Sequence, residues 1–127
     1  MPDLHVLDES QAARVRTVCD SIVPGCARTG AEVYIDALLA RMADEPRAAV
    51  LAAFEELAGP AAAGRDALGE HALSPAFGLA RAMACEAFYS DFVAPGAPGP
   101  GAWEEIGFAP PLATRIKKDW SYLGVES

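Results

Sequence analysis

Apolar residues recur every three or four positions through most of the chain, and proline–glycine breaks separate the stretches in which they do so. This spacing places the apolar side chains along one side of an α-helix. A strand would need alternation at every second residue, and no such alternation persists beyond four residues. The pattern therefore predicts an all-α fold, a compact bundle of four main helices with a short C-terminal helix and a Pro/Gly-rich extended segment.

The first two helices carry recognisable start signals. Asp8 caps the first helix and Gln11, three residues later, completes a pattern like a capping box. Pro24-Gly25 is expected to end this helix. A second capping box is predicted at Thr29-Gly30-Ala31-Glu32, so the second helix should open at Thr29.

The third and fourth helices are bounded by prolines. Pro46 suits the first position of the third helix, and Gly59-Pro60 is expected to end it. Residues 60–73 predict a loop with one short helix. Ser74-Pro75 then caps and starts the fourth helix, which should run to about Val93. That helix is apolar nearly all round, which predicts burial on most sides, in the core or against a partner.

The length of 127 residues favours one domain, spanning residues 1–127. Within it, residues 1–7 are expected to form a frayed start, and residues 94–127 a Pro/Gly loop followed by an aromatic tail. The short C-terminal helix is predicted in the stretch that leads to Trp120.

A formal net charge of −8 argues against nucleic acid or an anionic membrane as the main partner, because both favour a basic surface. No apolar run is long enough to span a membrane, and the N-terminus does not resemble a signal peptide. The expected location is the cytoplasm.

The three cysteines do not form a regular disulfide pattern. Cys19 and Cys85 fall on apolar helical faces, and Cys26 follows a break where exposure is possible. A Cys19–Cys26 bridge stays open as an alternative.

The sequence carries none of the usual signatures of a catalytic or metal site. His5 and His71 have no nucleophile beside them in sequence, although pairing through the fold is left open. Metal-ligand spacings such as CxxC or HxxxH are absent, and so are glycine-rich phosphate loops. No catalytic, cofactor-binding or metal-ligating residue is therefore assigned to this chain.

Aromatic residues concentrate in the last third of the chain, on both sides of the Pro/Gly segment. They either pack back onto the fourth helix or dock on another protein, and both can hold at once. A small basic cluster at Arg115, Lys117 and Lys118 is either solvated charge or contact with an acidic patch. The predicted partner-binding residues are Tyr89, Phe92, Trp103, Phe108, Arg115, Trp120 and Tyr122.

Three segments resemble the gluconate 2-dehydrogenase subunit 3 family. Residues 19–25, Cys-Asp-Ser-Ile-Val-Pro-Gly, are similar to the signature at the end of that family's first helix. Ala31 to Leu39, with Tyr34-Ile35-Asp36 before two leucines, resembles its second helix. Phe88-Tyr89-Ser90-Asp91, followed by Pro/Gly and then by residues 101–108, resembles its closing region.

The resemblance implies a helical small subunit without catalytic residues of its own. Its partner would be a large FAD-dependent oxidoreductase of the glucose–methanol–choline type, which carries the FAD and oxidises an alcohol group of a sugar or natural-product intermediate. Many members of the family carry a twin-arginine signal, and this sequence has none. The departure favours a cytoplasmic complex over an exported one.

Two other functions are compatible with the sequence. The chain would be a small helical enzyme if groups such as Asp36, Asp91, Tyr89 or His71 met in a pocket. It would be a stand-alone interaction module or homodimer if it bound no oxidoreductase. Turnover by the pure chain distinguishes the first alternative, and a stable monomer that captures no flavoprotein weakens the leading hypothesis.

Overall fold

The computed structural model describes residues 3–108 and 120–125, and all regular secondary structure in those ranges is helical. The all-α prediction is confirmed. The described helices are α1 (Glu9–Ile22), α2 (Cys26–Thr29), α3 (Ala31–Arg41), α4 (Asp44–Ala63), α5 (Arg65–Gly69), α6 (Pro75–Tyr89) and α7 (Ala102–Glu105), with one 3-10 turn at Ser121–Leu123.

The four longest helices form the bundle. Helices α1, α4 and α6 pack against one another, and α3 packs against α1 and α6. The predicted apolar stripes meet in the centre, where they are removed from water at roughly 25 cal/mol per Å² of apolar surface. The largest fully buried apolar side chains are Phe92, Ile35, Leu39, Leu57, Val15 and Val18.

The start of α1 is the predicted capping box. Asp8 Oδ1 accepts a hydrogen bond from the backbone N–H of Gln11 (2.7 Å), and Gln11 Oε1 accepts one from the N–H of Asp8 (3.0 Å). At the other end, Asp20 Oδ1 accepts from the N–H groups of Gly25 and Ala27 at 3.1 and 3.0 Å. This bonding starts the short helix α2, which the sequence pattern did not indicate.

The second capping box, predicted at Thr29, is wrong. Thr29 is the last residue of α2, and its hydroxyl donates to the carbonyl oxygen of Cys26 at 3.2 Å. Gly30 adopts the left-handed conformation, with φ of 73°, and leads into α3. Glu32 does not reach back along the chain, because its carboxylate pairs with Nε of Arg16 at 2.9 Å.

Gly59-Pro60 does not end the third predicted helix, which is α4. The helix continues to Ala63 with Pro60 inside it, and ends where the N–H of Gly64 bonds to the Pro60 carbonyl at 3.2 Å. A proline inside a helix loses its own N–H bond and its ring crowds the carbonyl group four residues before it, and packing of a long helix can offset that cost. Pro46 is the third residue rather than the first, still within the turn whose N–H groups lack helical partners. Helix α5 is the short helix expected within residues 60–73.

The fourth predicted helix, α6, starts as expected. Ser74 Oγ accepts from the N–H of Phe77 at 3.1 Å and Pro75 is the first helical residue. The helix ends at Tyr89, four positions before the predicted end at Val93, because the backbone turns at Ser90 and Asp91. Within this chain α6 is not buried on most sides, because Leu79 and Tyr89 lie on a face that is open to solvent; the alternative of burial against a partner stays a prediction.

The start of the chain is anchored rather than frayed from His5 onward. The Asp36 carboxylate, on α3, accepts hydrogen bonds from the backbone N–H groups of His5, Val6 and Leu7 at 2.8, 2.8 and 2.9 Å. The Leu7 side chain is buried in the core. Among the described residues, none of the helices combines the length and apolar character that crossing a bilayer requires.

Candidate partner-binding surface

The chain leaves α6 through a tight turn centred on Asp91. This residue has a φ of 65°, a left-handed conformation that aspartate tolerates better than most residues with a side chain. Its buried Oδ1 accepts a hydrogen bond from the N–H of Trp103 at 3.1 Å. A Cβ at position 101 would lie 2.3 Å from that oxygen, so the close approach requires Gly101. The turn therefore fixes where the Pro/Gly segment ends and α7 begins.

Trp103 joins the segment around α7 to the end of α6. Its ring N–H donates to the carbonyl oxygen of Tyr89 at 3.1 Å, and its ring meets Phe108 edge to face with centroids 5.4 Å apart. The N–H of Phe108 donates back to the Trp103 carbonyl at 2.8 Å. Tyr89 and Phe108 remain 50% and 46% exposed, and Ile106 is exposed beside them in the chain. These four residues, Tyr89, Trp103, Ile106 and Phe108, are called the aromatic surface below.

An ion pair ties this surface to the body of the fold. Arg28, on α2, donates from Nε to the carbonyl oxygen of Pro100 at 3.1 Å. Its Nη2 pairs with the carboxylate of Glu105 on α7. The guanidinium thus fastens both the end of the Pro/Gly segment and the short helix that carries Trp103.

A second group of rings packs at the same end of α6. Phe92 contacts Tyr34 and Trp120 edge to face, with centroids 5.3 and 5.2 Å apart, and Trp120 lies 6.3 Å from Tyr122. The pKa of Tyr34 is raised, first by burial, then by hydrogen bonding with Tyr122 and by the charge of Glu86, while Ser90 acts in the opposite direction. Because Phe92 lies three residues after the end of α6 and its ring contacts Trp120, which neighbours Tyr122, Tyr122 lies at the same end of the molecule as the aromatic surface.

The predicted partner-binding residues divide into three groups. Tyr89, Trp103, Phe108, Trp120 and Tyr122 lie at or near the surface around the end of α6. Phe92 is fully buried, and its ring belongs to the core in this state. Arg115, with Lys117 and Lys118, lies outside the described residues, as does the predicted short C-terminal helix.

The structure adds two residues that sequence reasoning missed. Ile106 is 60% exposed and stands in the same segment as Trp103 and Phe108. Glu86 is exposed on α6 three residues before Tyr89. The i, i+3 spacing of Glu86 and Tyr89 was the signal available for the second of these.

The acids considered for catalysis have structural partners. The Asp36 carboxylate is occupied by the three N–H groups of the N-terminal segment, and Asp91 accepts from Trp103. His71 lies in the turn between α5 and α6, whereas Tyr89 lies at the far end of α6. The described contacts do not join these groups into a catalytic pair.

Cys19 and Cys26 are free thiols, and both are fully buried. Burial corrects the possibility that Cys26 is exposed. A hydrogen bond with Cys26 raises the pKa of Cys19, and burial raises it further. Cys85, on α6, is a free thiol that is partly accessible.

A separate cleft of about 600 Å³ opens between the N-terminal segment and α1. Its walls combine carboxylates with apolar side chains, and Arg16 contributes a guanidinium that is already paired with Glu32. The lining residues are Asp3, Leu4, Leu7, Asp8, Glu9, Ala12, Ala13 and Arg16. None of them belongs to the aromatic surface.

Two particular arrangements, a cluster of metal-ligating side chains and a strand-based phosphate cradle, do not occur among the described residues. Over residues 3–108 and 120–125, no three or more His, Cys, Asp or Glu side chains gather in a way that suits a metal ion. The same ranges contain no strand, so the strand–glycine turn–helix cradle that holds a dinucleotide phosphate does not occur there.

Comparison with known proteins gave no relative. No protein-family model, curated protein or solved structure matches this chain.

Proposed function

We propose that this chain is the non-catalytic small subunit of a larger enzyme, and that it binds and stabilises a large FAD-dependent oxidoreductase of the glucose–methanol–choline type. The large subunit would carry the FAD and oxidise an alcohol group of a sugar or natural-product intermediate. The class of partner rests on the resemblance of residues 19–25, 31–39 and 88–108 to the gluconate 2-dehydrogenase subunit 3 family.

The aromatic surface is the observation that supports a binding role most directly. Large apolar side chains normally leave water on folding, yet three of these four residues remain about half exposed. The backbone that carries these side chains is anchored by the Trp103 hydrogen bonds and by Arg28. Tyrosine and tryptophan are typical anchors of protein interfaces, and an anchored backbone loses little conformational entropy on binding.

The proposed mechanism is stabilisation by mass action. A subunit that binds only the folded form of its partner shifts the folding equilibrium of that partner, by about 2.7 kcal/mol when its concentration is 100 times the Kd. The three free thiols suit a reducing compartment, and we place the complex in the cytoplasm. Cell fractionation of the co-expressed pair checks that location.

Co-expression tests the proposal. The large subunit produced alone should be insoluble or lose its flavin, and co-expression with this chain should restore soluble, yellow, active enzyme. Equal yield, flavin content and activity without the small chain would contradict it. Turnover by the small chain alone would instead favour the enzyme alternative, and a stable monomer or homodimer that never co-purifies with flavoprotein would favour the interaction module.

Matched variants locate the interface. Tyr89→Ala combined with Phe108→Ala should reduce the yield of complex roughly tenfold or more, since truncation of interface anchors commonly costs 2 kcal/mol or more. Leu73→Ala removes an even more exposed apolar side chain, which lies before α6, and should leave the yield unchanged. Equal effects of the double variant and Leu73→Ala would place the interface elsewhere.

A further inference from the structure

The cleft beside α1 has an apolar middle and charged side chains at both ends. Along α1 its lining residues are three or four positions apart, from Glu9 to Arg16, so they lie on one face of the helix and span about 10 Å. Ala12 and Ala13 form the middle of this face, and Leu4 adds apolar surface from the N-terminal segment. The volume of about 600 Å³ is typical of a site for a small molecule.

Both walls of the cleft are fixed by α3. Asp36 accepts the backbone N–H groups of the N-terminal segment, and Glu32, one turn earlier on α3, accepts from Nε of Arg16 at 2.9 Å. Positions 32 and 36 are four apart and are therefore neighbours on the helix surface. Because both walls are anchored by these bonds, the cleft is formed before a ligand arrives, which lowers the cost of binding.

The carboxylates in the lining are not neutralised by the described part of the chain. Asp3, Asp8 and Glu9 take no part in the ion pairs found within residues 3–108 and 120–125. Arg16 does line the cleft, but the charge of Glu32 offsets it. The lining does not include His5 or the other described arginines, which are Arg14, Arg28, Arg41, Arg47, Arg65 and Arg81. The cleft therefore carries a net negative charge that favours a cation.

A buried oxygen next to the Arg16 wall also lacks a donor. The Glu32 side chain is only 9% exposed, and its Oε1 has no hydrogen-bond partner among the described residues, whereas Oε2 is the atom that Arg16 binds. A buried carboxylate oxygen left without a donor costs free energy. The site thus offers more acceptors than donors, and a ligand that complements it must bring N–H groups as well as positive charge.

We propose that this cleft binds an alkylammonium group, a primary amine carried on a short apolar chain. The ammonium bonds to the carboxylates of Asp3 and Glu9, and the apolar chain lies over Ala12 and Ala13. A carboxylate of the same length is repelled, and a neutral alcohol lacks the attraction of the charge. An amine without the chain leaves the apolar middle of the cleft uncovered. The site is a property of this chain and does not depend on the proposed function.

Titration with small probes tests the site. n-Hexylamine at millimolar concentration should shift the amide signals of residues 4–16 in the ¹⁵N-labelled chain, whereas hexanol and hexanoate should shift them little. Affinity should rise about two- to fourfold for each methylene group from ethylamine to hexylamine, because each group leaves water on binding. Equal affinities of ethylamine and hexylamine, or shifts spread over the whole acidic surface, would show a general attraction for cations and overturn the proposal.

Glu9→Gln and Glu45→Gln form a matched pair of charge variants. Both glutamates are exposed in the first turn of a helix, and neither takes part in an ion pair among the described residues. Glu9→Gln should weaken hexylamine binding roughly tenfold, since a hydrogen bond to a charged group is lost. Glu45→Gln makes the same change in net charge and should weaken binding less than twofold. Equal effects of the two variants would refute the site.

Ala13→Leu tests the cleft by filling it. Ala13 is exposed on α1, so leucine is compatible with the fold, and thermal unfolding checks this. Hexylamine should bind this variant at least tenfold more weakly than it binds the wild type. Ala52→Leu is the same substitution at an exposed position of α4 outside the cleft and should leave binding unchanged. Unchanged binding to a folded Ala13→Leu variant, or equal losses in both, would contradict the proposed position.

Cations of the chain itself are tested as occupants. Arg115, Lys117 and Lys118 are changed together to glutamine, and the N-terminal amine is acetylated in a separate sample. Neither change should alter hexylamine affinity more than twofold. A tenfold gain from either one would mean that a group of this chain already occupies the cleft, and the site for an external amine would be refuted.

A free amine and a lysine side chain of a partner bring the same chemical group, and the assembled complex distinguishes them. Hexylamine that binds the free chain and the complex equally identifies a small-molecule site, and binding to the free chain alone identifies a partner lysine. A chain that binds hexylamine but captures no flavoprotein would retain the site and refute the proposed function. A chain that forms the flavoprotein complex but binds no hexylamine would refute only the site.

Discussion

The Asp36 side chain fixes the N-terminal segment by accepting several backbone hydrogen bonds. Its two oxygens accept from three consecutive N–H groups, those of His5, Val6 and Leu7. Asp36→Asn keeps the shape but loses the charge and turns an amide toward N–H donors. We expect the free energy of unfolding to fall by about 1–3 kcal/mol, which urea titration at neutral pH would measure.

Asp44→Asn is the control for that change. The Asp44 side chain is fully exposed, and its carboxylate lies 3.9 Å from the nearest Arg47 nitrogen. Water screens an ion pair of this kind almost completely, so its loss should hardly move the urea midpoint. Equal destabilisation by both variants would mean that Asp36 does not hold the N-terminal segment.

Gly101 is required by the close approach of Asp91 rather than by an unusual φ. Gly101→Ala would place a methyl group 2.3 Å from Asp91 Oδ1 and force that carboxylate away from the N–H of Trp103. We expect a loss of about 1–3 kcal/mol in stability, the usual range for overpacking. A red shift of the tryptophan fluorescence of the chain should accompany it.

Gly78→Ala provides the opposite expectation for the same substitution. Gly78 lies inside α6 with open space where a Cβ would stand, and alanine is favoured over glycine in a helix by about 0.5–1 kcal/mol. This variant should therefore raise the melting temperature. If Gly101→Ala also raised it, the contact with Asp91 would not be what demands a glycine.

At the scale of the element, the beginning of α6 depends on one side chain. Ser74→Ala removes the acceptor for the N–H of Phe77 and should cost about 1 kcal/mol in thermal or urea unfolding. Ser21→Ala is the comparison, because the Ser21 hydroxyl only donates to the Thr17 carbonyl one turn back inside α1. That variant should be nearly neutral, and a cost equal to that of Ser74→Ala would contradict the capping role.

The helix boundaries that the sequence predicted correctly are those set by local bonding. Asp8 and Ser74 cap the helices that follow them, using atoms within three residues. The predictions of a helix cap at Thr29 and of a helix end at Pro60 were wrong, because tertiary contacts determine the structure at both positions. Asp20 and Gly30 create α2 where a cap was expected at Thr29, and the packing of α4 on α1 and α6 carries that helix past Pro60.

At the scale of the whole molecule, composition and spacing predicted the all-α bundle. The arrangement of the aromatic residues on the surface could be determined only from the structure. The sequence identified Tyr89, Trp103 and Phe108 as aromatic candidates. It did not indicate that Trp103 bonds to the Tyr89 carbonyl, or that Phe92 packs inward while Tyr89 faces solvent. Those distinctions depend on where the chain turns after α6, and Asp91 and Gly101 set that turn through a contact between residues distant in sequence.

Thiol labelling tests how completely the bundle closes over its core. Cys19 and Cys26 are fully buried, whereas Cys85 is partly accessible. The raised pKa of Cys19 leaves less of the reactive thiolate than an ordinary thiol would hold at pH 8. In the folded protein we therefore expect Ellman's reagent to react readily with one thiol, and with all three only in guanidinium chloride.

Cys85→Ser should remove the readily labelled thiol and leave the two slow ones. Fast labelling of two or three thiols in the folded chain would mean that α1 and α2 open away from α6, and the aromatic surface at the end of α6 would then lack the rigid support on which its proposed role depends.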